Sequence, residues 1–178
     1  MAMSLPLIAR LLLDAQAEFV RAADAVPLRG ADRAEAGLNT PGWVVAHAGF
    51  FHDCWMNGDA QGRGGDGLEP WLRAWFQRQR SAGLDPIDAS FDEARAALEP
   101  VVERATAFIA SLNDEALCRE LTSDAGFSPG TTVGYLVARD IAHLWAHASE
   151  LNLIAVASGA MDTGLPGNME FTAGKRLL

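Results

Sequence analysis

Cysteine is scarce in this chain, with only Cys54 and Cys118 in 178 residues. Two isolated thiols cannot build a disulfide framework, and their low number fits a reducing compartment. Both read as small core or half-buried residues and not as nucleophiles. Alternating runs of β-branched residues are nearly absent, which argues against a sheet-based fold. No uncharged stretch approaches the roughly 18 residues that a bilayer span requires. The short apolar run in residues 1–14 is interrupted by Arg10 and Asp14, and no small-residue cleavage site follows it. Basic charge is also deficient: 14 Lys and Arg against 23 Asp and Glu give a formal charge of −9, a field that repels a phosphate backbone unless a local patch reverses it. Arg73, Arg78 and Arg80 do cluster, but Trp71, Trp75 and Phe76 interleave at helical spacing, so the arginines read as the solvated side of an amphipathic turn. These absences predict a soluble, cytoplasmic protein that takes a small-molecule substrate and binds neither nucleic acid nor membrane.

What is present is helix. Apolar residues make up 49% of the chain and recur at three and four spacing, predicting an all-α fold. The length suits one domain over residues 1–178, with a helical bundle at about 4–158 and an irregular tail at 159–178. The first helix is expected over 4–25, with Ser4 as N-cap, Pro6 in its first turn, and Leu5, Ile8, Leu11, Leu12, Ala15, Phe19 and Val20 as its apolar stripe. The second opens at Thr40 and Pro41 and runs to about 57. Residues 58–69 are glycine-rich and charged and read as a mobile surface loop. They lack the Gly-Lys-Ser/Thr ending and the preceding strand of a phosphate loop. A shorter helix follows from Pro70 to Gly83. Another opens with Ser90 and Glu93 spaced as a capping box and continues to about 112, with a kink or break expected before Pro100. A short turn at 113–120 and a loop precede the last helix, over 131–158 and stopped by Gly159. Four long amphipathic helices with one or two additional short ones predict a four-helix bundle.

The chain's four histidines fall on two of these helices. His143 and His147 are one helical turn apart, so their imidazoles share a face and can grip one ion. Asp140 and Glu150 lie on that face too, and a row of Asp, His, His and Glu turned toward a bundle core calls for a compensating cation. On the second helix, His47 and His52 point about 140° apart and cannot both face one site. His47 shares its side with Trp43, Phe51 and Cys54 and is chosen as the inward one, whereas His52 sits beside Asp53. Cys54 lies too far along the axis to join His47 on one ion and is at most pocket lining. Three imidazoles leave coordination positions open, as in a catalytic metal site. Zinc, nickel, iron and manganese all suit such donors. Asp140 or Glu150 can orient an imidazole or accept a proton, and Arg139, one turn before His143, can bind an acidic group or serve as a surface ion-pair partner. Trp55, Trp71, Trp75 and Trp145 can line a pocket, although aromatics at this spacing are usually core.

The string PGWVVAH at 41–47 and the string YLVARDIAHLWAHASELN at 135–152 together resemble the DinB and YfiT-like superfamily, which includes the metal-binding domain of mycothiol-dependent maleylpyruvate isomerase. The shared pattern is a tryptophan four residues before a histidine, then His-x-x-x-His on the last long helix; here these are Trp43, His47, His143 and His147. The resemblance spans about residues 4–158. It implies a homodimeric bundle in which three histidines hold a divalent metal, commonly zinc or nickel, and activate a low-molecular-weight thiol (mycothiol, bacillithiol or glutathione) for S-transfer or isomerisation. No thiol-binding signature outside the histidines matches, and the tail after Gly159 is too short for the isomerase's additional domain.

Three functions follow as expectations. One is a metal-dependent thiol transferase or isomerase, with His47, His143 and His147 as ligands. Another is a non-catalytic metal-binding or stress-response bundle. The last is a hydrolase acting through bound hydroxide at the same ligands.

Overall fold

The computed structural model describes residues 5–27, 38–83, 86–121 and 127–160. Six α-helices account for most of these: α1 (Leu7–Asp24), α2 (Pro41–His52), α3 (Pro70–Ala82), α4 (Phe91–Ala110), α5 (Asp114–Cys118) and α6 (Val133–Ala157). Among the described residues the only β pairing is an isolated antiparallel bridge between Glu120 and Thr132. The expected all-α bundle is what the chain forms. No helix among the described residues is long and apolar enough to cross a membrane.

Local chemistry sets the helix starts. Thr40 Oγ1 accepts from Trp43 N, Glu69 Oε2 from Leu72 N, Ser90 Oγ from Glu93 N, Asn113 Oδ1 from Ala116 N and Thr132 Oγ1 from Tyr135 N. Each satisfies a backbone donor that the first helical turn leaves free. Gly83 and Gly159 stop α3 and α6 with φ of 73° and 94°, a region a side chain resists. The first helix starts later than expected: Pro6 stands at its N-cap position without a side-chain bond, and Ser4 lies outside the described residues, as does the tail from 161 onward. Leu11, placed in the apolar stripe, is 39% exposed, while Ala9, Leu12, Ala15, Phe19, Ala22 and Ala23 are buried.

The long helices pack in a closed ring, α1 against α6, α6 against α2, α2 against α4 and α4 against α1, with α3 laid over α2 and α4. The core they share includes Leu12, Phe19, Val44, Val45, Met56, Leu98, Val101, Ile109, Leu136, Leu144, Leu151 and Ile154. Gly42 lets α2 approach the chain before α4 so closely that a Cβ there would fall 1.9 Å from the carbonyl oxygen of Ala89.

Three segments differ from the sequence reading. The second helix winds on to about its expected end, and mostly exposed turns follow at 62–68 where a surface loop was expected, but its last part is not α-helical. It passes at Asp53 into a π-helical stretch, Asp53–Gly58, and then a 3-10 turn, Asp59–Gln61. Asp53 fastens the following turns, because its buried carboxylate accepts from Asn57 Nδ2 at 2.7 Å and from Glu69 N at 2.6 Å and pairs with Arg104 at 3.1 Å. Helix α4 is continuous through Pro100, so the expected kink or break is not a break. Ala96, whose carbonyl loses its intrahelical donor there, is on the exposed side where water can serve it. The expected turn at 113–120 contains the short helix α5, started by the Asn113 cap.

Candidate metal centre

Helices α2 and α6 lie side by side, and the histidines they carry meet between them. One ligand-capable nitrogen from each of His47, His143 and His147 falls within 4.8 Å of the others. The ring centroids are 4.6 Å apart for His143 and His147, 4.9 Å for His47 and His147, and 5.2 Å for His47 and His143. All three are half-buried, so the cluster sits in the surface groove where α2 and α6 lie side by side and not in the bundle's centre.

Aromatic rings wall this cluster. Trp43, one turn before His47, stacks on its imidazole at 4.6 Å and 13°. Phe51, one turn after it, presents its edge to His47 at 5.0 Å and to His143 at 5.5 Å. Trp55 meets His143 at 5.2 Å. Trp75, by contrast, is fully buried in the core, where its Nε1 donates to the carbonyl of Ile87. Trp71 and Trp145 are partly buried against that core.

These walls govern protonation. Removal from water and, after it, the charge of neighbouring His147 push the pKa of His47 down to about 4, with Glu150 opposing. His143 falls to about 3, again first by burial, then by the charges of His147, His47, Arg139 and His52. Both rings are therefore neutral at pH 7, the form in which imidazole binds a metal. His143 Nδ1 is buried without any hydrogen-bond partner among the described residues, which is costly unless something else engages it. The tautomer of His147 is set by Glu150, whose Oε2 lies 3.0 Å from Nδ1, leaving Nε2 available to a ligand. Glu150 is held in turn by Asn39 Nδ2 at 2.9 Å, and the bond to His147 keeps its carboxyl below the usual range. Three imidazoles, one of them oriented by a carboxylate, form a donor set that fits a divalent metal ion.

The other singled-out residues divide. Glu150 meets the histidine row, but Asp140 turns away from it: Asp140 is fully buried and accepts from His52 Nδ1 at 2.6 Å. His52 is thus the more deeply inward histidine of α2, at 1% exposure, which corrects the choice of His47 as the one facing the interior. His47 faces the groove, and His52 faces the core. Arg139 is exposed and lays its guanidinium over the Trp55 ring, 5.0 Å from the centroid. Cys54 is partly buried against the core. Burial, then the charges of Asp59 and Asp53, push its thiol up to about 12. The sequence reading missed Asn39 as the holder of Glu150; its place directly before the Thr40 cap was the available signal.

Comparison with known proteins adds one finding. A family model described as the DinB superfamily matches residues 11–151, a span that contains all three histidines, Glu150 and most of the bundle. No curated protein and no solved structure matches the chain.

Proposed function

The chain belongs to the DinB superfamily, and from that premise we propose that it is a metal-dependent enzyme in which His47, His143 and His147 hold a divalent cation and a low-molecular-weight thiol serves S-transfer or isomerisation of a small molecule. The observation that carries this reading is the gathering of three imidazole nitrogens within 4.8 Å, two of them on rings kept neutral by burial. A divalent cation bound there supplies Lewis acidity, lowering the pKa of a coordinated thiol or water.

The chain's own residues do the rest. Glu150 fixes the ring orientation of His147 and, with Asn39, resists its rotation. Trp43 holds His47 flat against its indole, and Phe51 and Trp55 exclude water from the α2 side of the cluster. Among the described residues no fourth His, Cys, Asp or Glu joins the group. That supports a site with room for an exogenous ligand over a closed structural one.

The test is metal content by elemental mass spectrometry on untagged protein, beside the His143→Ala variant, followed by a panel of mycothiol, bacillithiol and glutathione with electrophilic acceptors. About one equivalent in the wild type, lost in the variant, with thiol consumed only by the metal-loaded protein, is the expected result. Metal binding with ester hydrolysis and no use of any thiol would move the assignment to the hydrolase. Absence of metal after incubation with zinc and nickel would end it.

A further inference from the structure

Arg139 stands on the exposed side of α6, one turn ahead of His143, and its position is held. Its guanidinium carbon lies 5.0 Å from the centroid of Trp55, and the same indole lies 5.2 Å from His143. The indole is therefore a shared wall, with the imidazole on one part of it and the guanidinium on another. Those two contacts together are the most that can separate Arg139 from His143, a span that a molecule of a few carbon atoms covers.

Three arginines of the bundle have carboxylate partners, Arg21 with Glu18, Arg95 with Asp24 and Arg104 with Asp53, whereas Arg73 and Arg119 reach backbone carbonyls. Arg139 has none among the described residues. Its neighbour Asp140 is committed to His52 on the buried side of the helix, and Glu150 is committed to His147 and Asn39. What sets Arg139 apart is its place: a guanidinium stacked on the indole that also borders His143, beside a cluster of metal-ligand type, in a chain with a formal charge of −9. Its charge disfavours a bare cation at the cluster. It becomes useful when an anion sits between the two.

The chemistry of the contact defines what that anion is. Stacking uses one face of the guanidinium plane and leaves its N–H edge free, and that edge matches the two oxygens of a carboxylate. Resting on the indole also reduces the side-chain freedom that would be lost on binding. We propose that Arg139, shelved on Trp55, recognises a carboxylate on the small molecule that this site takes, so that the ligand is anchored by its acid group at Arg139 and presents its reacting end to the histidine cluster. This rests on the reading of the site given above.

The experiment uses two probe thiols that differ in one group, 3-mercaptopropionate and its neutral amide. With cobalt-loaded full-length protein, thiol binding is read from the sulfur-to-cobalt absorption band. The wild type is expected to bind the acid at least tenfold more tightly than the amide. Arg139→Gln is expected to bring that ratio close to one while leaving cobalt stoichiometry and amide affinity unchanged, and Arg139→Lys should recover only part of it. A ratio that persists in Arg139→Gln, or no preference in the wild type, overturns the proposal. In metal-free protein, the Nε–H resonance of Arg139 should shift on titration with the acid and not with the amide; no shift with either overturns it as well. Failure to take up cobalt refutes the metal reading and leaves this second titration to decide the role of Arg139.

Discussion

His52 Nδ1 donates to Asp140 Oδ2 across 2.6 Å between α2 and α6, with both side chains closed to solvent. On its other side, His52 Nε2 lies 2.9 Å from Gln16 Oε1 of α1, and Gln16 Nε2 donates to Thr106 Oγ1 of α4 at 2.7 Å. A single chain of hydrogen bonds thus touches all four long helices. Because each member would be orphaned by the loss of its neighbour, the chain favours one mutual arrangement of the helices.

His52→Ala leaves the Asp140 carboxylate buried without its donor, and a broken buried pair of this kind costs about 3–5 kcal/mol. The urea midpoint of the metal-free protein should fall accordingly. The folded fraction should still take up about one equivalent of metal, because His52 faces away from the groove. Metal loss as complete as in His147→Ala would place His52 among the ligands and remove the present assignment.

Glu150→Gln and His147→Ala should separate orientation from ligation. Removing a carboxylate that orients a ligating imidazole weakens metal binding roughly 10–100-fold, so the glutamine variant should still saturate at one equivalent in a chelator competition. His147→Ala should not reach it. Equal affinities for Glu150→Gln and wild type would show that Asn39 and Glu150 do not hold the ring.

The neutral imidazoles have a pH consequence. His47 and His143 have folded-state values of about 4 and about 3, below the ordinary 6.5. Between these values and 6.5 the unfolded chain binds protons that the folded chain does not, so stability is complete above about pH 6.5 and declines as pH falls toward 4 and 3. Denaturant midpoints of the metal-free protein at pH 7, 5.5 and 4.5 should show this decline, and His143→Gln should make it shallower. Parallel declines in the two proteins would refute the assignment to His143.

The two cysteines should differ in reactivity. Cys118 is exposed, whereas Cys54 is half-buried with its thiol pushed up to about 12. Brief treatment with iodoacetamide at pH 8 should alkylate Cys118 and spare Cys54, as read by peptide mass spectrometry; comparable labelling of both would show that Cys54 is reachable as thiolate.

Much of this architecture was legible because caps and stops are local. Thr40, Ser90, Gly83 and Gly159 act on backbone groups within a few residues of themselves, so their roles survive without knowledge of the fold. The gathering of His143 and His147 was equally legible from one turn of spacing; the 140° between His47 and His52 showed that only one of them could join, but choosing His47 as the inward one misjudged which of the two faces the core. The destination of Asp140 was not. On an ideal helix Asp140, His147, His143 and Glu150 share an arc of about 80°, with Asp140 and Glu150 at its opposite edges. The wheel shows that they share a side. Only the neighbours decide that one edge meets the core, through His52 and Gln16, and the other meets the groove, through Asn39. Contacts between residues as far apart in sequence as His52 and Asp140 leave no trace in local periodicity.

The π-helical stretch Asp53–Gly58 makes one part of the aromatic wall, Trp55, separable from the imidazoles it borders. In an ideal α-helix Trp55 would stand roughly 80° around from His47; the wider π winding, which turns by only about 80–85° per residue, brings it back to roughly 20–35°. Such a stretch is equivalent to one residue inserted into an α-helix. Deleting a residue there would swing the indole away from His143 while every residue before Asp53, His47 included, kept its register. Length changes at this one point therefore offer a lineage a way to reshape what the groove accepts without disturbing the three histidines.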